Sequence, residues 1–544
     1  MQTRSLSFIL IAFTAVIIFS SCSKKSNTQG RYIPKTAAIV LQINTGSVTA
    51  KLPWAEVKQN ELFKDMYADT AVAAYIKAAL DNPENTGIDI KNDIIFFVQK
   101  DSTGGYAVIE GMVKDAEKFK QFNSDATKTS AETEKDGIHF LTNQKMTASW
   151  NKDRFAIVMD APQMNEVNKF SNTYDSASPP PVRVKRDLAA AAAQLFSLKE
   201  DNSLAKEEKF SELLSTKADI HFWLNGEAFN TASMGMAALS MVNMSKLYEG
   251  AIVAGTANFE NGKIVADIKS YAGKEMTAIW KKYSGSKVNS DMVKRIPAKD
   301  IAVLLAMNFK PEGIREFIKL AGMEGFANMG ATFIGFTLDD FIKANKGDIV
   351  FAVADIKKDS MGKPDANIIF SVSIGDKNSF GKLIDAGKKI GGEKMGAAAG
   401  SKVFYNSNDN YFAIGNNKAG IDKYISTAGN NSFPFLDKIY NSPLGAYVNF
   451  QYILAYMKND ATKDSLENAQ YDATVKMWDN LIATGGEFSN GGVTQHVEIN
   501  LVDKTTNSLK QLNNYSGIMG SIEKKKKAIG YKWDEEAMKM DSLK

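Results

Sequence analysis

Cysteine and histidine are the scarcest reactive side chains of this sequence, since 544 residues contain one cysteine, Cys22, and three histidines. One cysteine can form neither an internal disulfide nor a thiolate metal site. The histidines, His139, His221 and His496, lie far apart, so the short spacings typical of zinc sites do not occur. We therefore predict no metal site and no cofactor.

The sequence also lacks a strong excess of charge of either sign. It has 66 basic and 62 acidic residues, which gives a formal net charge of +4. Spread over this length, that charge is too weak to indicate a nucleic-acid partner. The composition, 44% hydrophobic and 24% charged, is typical of a globular protein, and the length predicts at least two domains.

Long apolar runs are absent after the N-terminus, where none reaches the roughly 18 residues of a membrane span. At the N-terminus, Arg4 precedes an apolar run, residues 6–19, which ends just before Ser20, Ser21 and Cys22. This order is typical of a signal peptide, and it resembles a bacterial lipoprotein signal, in which the cysteine is acylated after cleavage. We predict a signal peptide over 1–21 and lipidation of Cys22. A signal peptide whose cysteine is incidental is the alternative.

Internal similarity divides the remaining chain into two halves. Five segments of the first half recur in the same order in the second, at 32–44 and 295–308, 92–98 and 347–353, 113–119 and 374–380, 151–160 and 409–417, and 258–267 and 487–496. Five weak matches in one order indicate an internal duplication. We predict a flexible lipid-anchored tether over 22–31, a first repeat over 32–290, a second repeat over 291–515 and a charged C-terminal tail over 516–544.

The offsets between matching segments indicate an insertion in the first repeat. Phe155 and Phe412 are 257 residues apart, whereas Phe259 and Phe488 are 229 apart. The first repeat therefore holds about 28 additional residues, and the proline-rich start of 173–216 makes that stretch the candidate. Two helical patterns follow the prolines, with Asp187 and Ser203 as predicted N-caps.

The pattern of apolar residues within each repeat predicts an α+β fold. Strands are predicted at 37–44, 138–142, 145–150 and 154–159, and helices at 54–67, 71–80 and 115–122. An Asn-Gly pair, which favours a tight hairpin, stands near the end of each repeat, at Asn261-Gly262 and Asn490-Gly491. We predict two related lobes, each a largely antiparallel sheet with packed helices.

No short stretch of the sequence matches the residue pattern of a known catalytic or binding motif. The Gly-rich stretch at 396–402 has the wrong spacing for a phosphate loop, and 406–410 lacks the alternating carboxylates and the final glutamate of a calcium loop. The methionines at 234–244 favour helix packing over copper binding. The histidines all stand in strand-like runs, where ordinary structural roles are favoured over a site assembled across the fold.

Several of these features together resemble a known family. They are the lipoprotein signal, Ile33-Pro34 before a strand that ends at Asn44, the helix that contains Trp54, and the repeated strands at 92–98 and 347–353. The chain is similar to uncharacterised Bacteroidota lipoproteins that share domain of unknown function 4836. That resemblance implies no activity and no catalytic residue. It implies outer-membrane attachment facing the periplasm, because lysines rather than acidic residues follow Cys22.

Two functions remain open from the sequence. The first is a non-enzymatic, lipid-anchored envelope protein that binds a ligand or a partner, with a pocket expected between the lobes. The second is an envelope hydrolase whose site lies at the interface of the lobes. A solute-binding protein is disfavoured, because such proteins have parallel α/β lobes. The predicted partners are the membrane, through acylated Cys22, and an unknown envelope protein or ligand.

Overall fold

The computed structural model describes residues 28–70, 72–101, 104–161, 186–229, 244–358, 364–391, 403–457 and 465–541. Its strands are β1 Ile39–Ile43, β2 Ile94–Asp101, β3 Gly104–Met112, β4 Thr133–Lys135, β5 Ile138–Thr142, β6 Met146–Trp150, β7 Arg154–Asp160, β8 Ile220–Asn225, β9 Ile252–Glu260, β10 Lys263–Tyr271, β11 Ile301–Asn308, β12 Asn345–Lys358, β13 Pro364–Ile374, β14 Phe404–Ser407, β15 Tyr411–Gly415, β16 Leu444–Asn449, β17 Trp478–Ser489 and β18 Gly492–Leu501.

Its helices are α1 Thr45–Lys51, α2 Trp54–Val57, α3 Glu61–Ala68, α4 Ala74–Asp81, α5 Ala116–Thr127, α6 Leu188–Phe196, α7 Glu208–Ser215, α8 Met244–Tyr248, α9 Lys274–Tyr283, α10 Ser290–Lys294, α11 Glu312–Leu320, α12 Glu324–Ile334, α13 Leu338–Ala344, α14 Lys377–Gly391, α15 Lys418–Ser426, α16 Leu436–Ile439, α17 Phe450–Met457, α18 Ser465–Met477 and α19 Ser508–Asp541. Helices packed on a large antiparallel sheet confirm the predicted α+β class.

All the described strands belong to one continuous antiparallel sheet. From one edge to the other, the hydrogen-bonded order is β4, β5, β6, β7, β3, β2, β1, β8, β9, β10, β18, β17, β16, β11, β12, β13, β15, β14. The halves meet where β10 pairs with β18. We call this pairing the junction.

The two halves place their corresponding strands in the same order. In the first half, β1 pairs with β2 and β8, and in the second half β11 pairs with β12 and β16. Each half then continues to its last hairpin, β9–β10 or β17–β18, and the two last strands pair with each other. A shared order is what a duplication would produce, although the common origin of the halves stays a prediction.

The register of the junction pairs two residues that the predicted duplication would make counterparts. Asp267 lies opposite His496, and these residues are 229 apart in sequence, like the matching pair Phe259 and Phe488. A residue that pairs with its own counterpart lies on the axis of a two-fold arrangement. A two-fold relation of the halves about this pair is what the predicted duplication would produce, and it stays a prediction.

Each half has its own main hydrophobic core. One cluster packs Phe97, Phe210 and Trp223 with residues of β1, β3 and α6, and the other surrounds Tyr424 with residues of β11, β12 and α15. These side chains are fully or almost fully buried. Because apolar burial is the main source of stability, each half contributes separately to the stability of the chain.

Several local predictions are wrong in detail. The single helix predicted over 54–67 is broken into α2 and α3, and Asn60 caps the second piece through the amide of Leu62. Asp187 does cap α6 through the amide of Ala190. Ser203 caps no helix, because its hydroxyl donates to the carbonyl of Glu200.

Of the stretch predicted as a charged tail, residues 516–541 form the later part of helix α19, which begins at Ser508. This helix contacts both halves. Asn60 of the first half donates to the carbonyl oxygen of Asn513 at 2.6 Å. The Tyr515 ring packs against Trp478 of the second half at 5.9 Å between centroids. Helix α19 therefore ties the halves together in addition to the junction.

Some predictions fall outside the described residues. These are the signal peptide, Cys22 and its lipidation, most of the tether, the proline-rich start of the 173–216 insertion, the Gly-rich stretch at 396–402 and most of the methionine cluster. Among the described helices, none has the combination of length and hydropathy that crossing a bilayer requires.

Candidate functional site

The structure does not bring the three histidines together, because they lie on β5, β8 and β18. His139 has its Nδ1 2.5 Å from Glu132, and its ring stacks on Trp150. The buried His221 donates from Nε2 to the carbonyl oxygen of Thr216 at 2.7 Å. These two histidines have structural contacts, as the sequence favoured, whereas His496 lines a cavity.

His496 lies at the junction beside a carboxylate. Its Nδ1 is 2.8 Å from the Asp267 carboxylate, and its Nε2 is 3.7 Å from Glu498. Thr484 of β17 lies opposite His496 in the ladder, so its side chain is on the same face of the sheet. A histidine, a carboxylate and a hydroxyl residue therefore stand side by side on three neighbouring strands.

These three residues line a polar cleft of about 370 Å³ between the sheet and helix α7. Lys269 and Glu212, which form an ion pair at 3.5 Å, also line the cleft. Within the described part of the chain, no three histidine, cysteine or acidic side chains are grouped as a metal would need. A ligand in the cleft would therefore meet isolated charge pairs, namely Asp267 with His496 and Glu212 with Lys269.

A second cavity, which we call the apolar pocket, has about 410 Å³ and lies at the same junction. Helix α9, which leaves the first half, forms one wall with Ile279, Trp280 and Tyr283. Helix α11 of the second half forms the opposite wall with Ile314 and Phe317. The pocket is thus built from both halves, where the sequence placed its expected binding site.

The polar groups around the apolar pocket are bonded to one another. Asn308 accepts from the Ser286 amide at 2.6 Å and donates to Asp348 at 2.7 Å. Lys310 donates to the carbonyl of Lys282 at 3.2 Å. With these groups satisfied, the remaining lining is mostly aliphatic, thioether and aromatic. Such a surface favours an apolar ligand over a charged one.

The two cavities open on opposite faces of the sheet. Val493 lines the apolar pocket, and its neighbour Thr494 lines the polar cleft. Successive side chains of a strand point to opposite faces, so one hairpin, β17–β18, contributes to both sites. The junction therefore carries two cavities that are suited to binding, one on each face of the sheet.

The other acidic and Asn-rich stretches have structural roles. Asp340 forms a capping box with Thr337 and pairs with Lys382, which together lower its pKa to about 2. Its neighbour Asp339 pairs with Arg315. In the loop at 406–410, Asn408 accepts from two backbone amides and closes a turn. The adjacent aspartates do not form an acid–base pair.

Comparison with known proteins gives a family but no activity. The chain matches the family described as "Domain of unknown function (DUF4836)" over residues 31–411, which is more than half of its length. The chain belongs to this family. The DUF4836 match runs from the first half through β14 and into the start of β15, so it includes the connection from β10 to β11 and ends before β16, β17 and β18.

The remaining comparisons give no further information on what the chain does. No curated protein matches this DUF4836 chain significantly. Two solved structures, crystal forms I and IV of TP0453, are 9% and 8% identical with TM-scores of 0.25 and 0.24. They cover 46% and 44% of this chain and 81% and 79% of their own. A likeness this weak does not establish a common fold.

One buried carboxyl group was not singled out from the sequence. Glu110 of β3 is 2% exposed, and its Oε1 has no hydrogen-bond partner among the described residues. Burial raises its pKa to about 8, although Arg154 opposes the shift. The corresponding position of the second half is Ser371, whose hydroxyl donates to the Phe412 carbonyl. A lone acidic residue in the apolar run "YAVIEGMV" was the signal in the sequence.

Proposed function

We propose that this chain is a lipid-anchored cell-envelope protein that binds an apolar ligand, such as an acyl chain, without catalysing a reaction. The apolar pocket between α9 and α11 carries this proposal. Its volume of about 410 Å³ lies within the range of ligand pockets, which is roughly 300–1,000 Å³. The anchor at Cys22 would keep the pocket close to membrane lipids.

The composition of the pocket supports an elongated apolar ligand. Trp280 and Phe317 face the cavity from the two helices, and Val493 and Leu444 close it from the sheet. Ser284 is a hydroxyl residue at the same cavity. A ligand with an apolar body and one polar end would bury the body among these side chains and keep its end near the polar groups.

Binding can be measured by energy transfer from Trp280 to a dansyl-labelled undecanoic acid. We expect saturable transfer with the native chain. Val493→Phe adds volume inside the pocket, so it is expected to weaken binding by at least about tenfold, because overpacking a filled site is costly. Trp280→Phe retains the apolar wall and is expected to reduce the transfer, although five other tryptophans remain, while the dansyl emission still reports binding.

The matched control is Val502→Phe, which makes the same change at an exposed residue outside the pocket. Its affinity for the probe should equal that of the native chain. Equal affinities for Val493→Phe and Val502→Phe would place the probe elsewhere and contradict the proposal.

The anchor is tested by Cys22→Ala in cells that produce the full chain. One acyl chain holds a protein at a membrane only weakly, so stable attachment requires the multiple acylation of a lipoprotein. We expect the native chain in the membrane fraction, protected from protease in intact cells, and the variant in the soluble periplasmic fraction. A variant that still sediments with membranes would show that Cys22 is not the anchor.

An envelope hydrolase at the junction is the second candidate, and the Asp267–His496 pair in the polar cleft is the observation that favours it. A carboxylate that orients a histidine is one element of acyl-transfer catalysis. The side of His496 away from Asp267 faces Glu498 at 3.7 Å. A hydrolase would require His496, so turnover of ester substrates that survives His496→Gln would exclude this candidate.

A further inference from the structure

Lys310 is the only charged residue among the described residues that line the apolar pocket. It lies just before helix α11, and its side chain reaches across to the end of helix α9 on the opposite wall. There its ammonium group donates to the Lys282 carbonyl oxygen at 3.2 Å. An ammonium group has three donors, so this bond leaves two of them for another partner.

Lys282 brings a second ammonium group to the same corner of the pocket. Its Nζ lies 4.9 Å from the centroid of the Tyr283 ring, which forms part of the pocket wall. The Tyr283 hydroxyl oxygen accepts a hydrogen bond from this ammonium group, which raises the pKa of Lys282. Lys282 is therefore protonated at neutral pH. Two positive charges thus stand at one end of an otherwise uncharged cavity.

These two lysines differ from other lysines of the junction in having no acidic partner within the part of the chain that the structure describes. On β10, Lys263 pairs with Glu498 at 2.6 Å, and Lys269 pairs with Glu212 at 3.5 Å. The ion pairs of the polar cleft and its surroundings are therefore complete. At the apolar pocket, by contrast, the positive charge is left for a ligand to neutralise.

The acidic residues closest to this corner do not neutralise it. Glu316 of α11 attracts Lys282 only weakly, since its charge has the smallest influence on the pKa of that lysine. Asp348 lies behind the pocket wall, where it accepts from Asn308 at 2.7 Å and from Asn289 at 3.3 Å. A positively charged ligand would find no carboxylate among the described lining residues, whereas a negatively charged one would find two ammonium groups.

We propose that the ligand of the apolar pocket is an anionic amphiphile, whose carboxylate or phosphate group is held between Lys282 and Lys310 while its apolar body lies between Trp280 and Phe317. This inference rests on the proposed function, which it narrows from any acyl chain to a negatively charged one. Both lysines are exposed, so the charged group would stay at the rim, in contact with water, while the body is buried.

Two probes with one apolar body test the charge of the ligand. They are the dansyl-labelled undecanoic acid and its methyl ester, and the dansyl emission reports their affinities for the native chain. We expect the acid to bind at least about fivefold more tightly than the ester, because hydrogen bonds between charged groups are about twice as strong as neutral ones. High salt should reduce this preference, since exposed charges are screened.

The double variant Lys282→Gln, Lys310→Gln removes both charges and keeps two side chains that can donate hydrogen bonds. It should bind the acid no more tightly than the ester. Both residues are exposed, so the fold should remain intact. The matched control is Lys281→Gln, Lys319→Gln, which removes two charges from exposed residues of α9 and α11 outside the pocket lining. It should keep the preference of the native chain.

Competition against the methyl ester probe distinguishes the two anionic groups. Dodecanoate and dodecyl phosphate should both displace it more strongly than dodecanol does, and the stronger of the two anions identifies the group that the site prefers. Displacement by dodecanol at the same concentrations as the anions would overturn the inference.

Equal affinity of the native chain for acid and ester would also overturn the inference and leave the apolar ligand of the proposed function in place. A preference that survives in the double variant, or that the control variant also loses, would place the recognition of charge elsewhere and overturn it as well. The failure of the proposed function looks different, because both probes would then bind Val493→Phe as tightly as the native chain.

Discussion

A chain cut between Ser286 and Lys287 is expected to stay together as one particle, and Val497→Pro is expected to weaken the association of the two fragments at least about 100-fold. Leu501 of β18 donates to the Gly262 carbonyl at 2.8 Å. Because the direction of the amides alternates along a strand, the Val497 amide also faces β10, opposite Ala266. Proline removes that donor, and within sheets proline is confined to edge strands, strand starts and bulges, so a proline here should disrupt the central ladder.

The cut can be made with a protease site inserted in the exposed turn between α9 and α10, and the fragments followed by size-exclusion chromatography over a dilution series. Val497→Ala retains the backbone amide and is the matched control, so its fragments should remain associated. Separation of the fragments of the native chain at micromolar concentration would mean that the halves are loosely joined domains. Equal behaviour of the proline and alanine variants would mean that the β10–β18 ladder contributes little.

The stability of the chain is expected to fall as the pH rises from about 5 to about 8, because of Glu110. Its folded pKa is raised from 4.5 to about 8 by burial. Below the unfolded pKa both states are protonated and the folded state carries no penalty. As the pH rises from the unfolded pKa towards the folded pKa, Glu110 ionises in the unfolded chain but stays protonated in the folded chain. The free energy of unfolding therefore falls by roughly 4 kcal/mol. Glu110→Gln, which cannot ionise, should lose this part of the pH dependence.

Urea unfolding at about pH 5 and about pH 8 measures the effect for both chains. Glu134→Gln makes the same change at an exposed residue of β4 and should keep the pH dependence of the native chain. If Glu110→Gln and the native chain lose the same free energy of unfolding between these pH values, Glu110 is ionised in the folded state and its environment is not apolar.

Local structure was well predicted where short-range signals determine it. The strands expected at 138–142 and 145–150 are observed at Ile138–Thr142 and Met146–Trp150. The turn at Asn490-Gly491 has positive φ at both residues, as the Asn-Gly hairpin requires. Alternation of apolar residues and turn chemistry act over a few residues, so a single sequence suffices to detect them.

The candidate site could be predicted only as a location between the halves. The apolar pocket combines α9, α11 and the ends of β16 and β18, which are distant in sequence and meet only through the continuous sheet. No local pattern distinguishes Val493 of the pocket from other strand valines. Likewise, residues 516–544 were predicted as a charged tail, yet Lys524 bonds to Asp65 of the first half and Lys526 bonds to Gln470 of the second.

Comparison of the two halves also shows which features a single sequence cannot reveal. Helices α3 and α12 share glutamate, phenylalanine and methionine at the same positions, but Phe63 of α3 is 8% exposed whereas Phe326 of α12 is 47% exposed. Such a difference depends on what packs from elsewhere in the chain. Packing of this kind overrides any signal within the segment itself.

A crystal structure of the mature chain with the dansyl-labelled undecanoic acid tests the central claim most directly. The acyl chain is expected in the apolar pocket between Trp280 and Phe317, with its polar end near Ser284. An acyl chain bound in the polar cleft beside His496, or on the exposed face of α12 with the pocket empty, would contradict it.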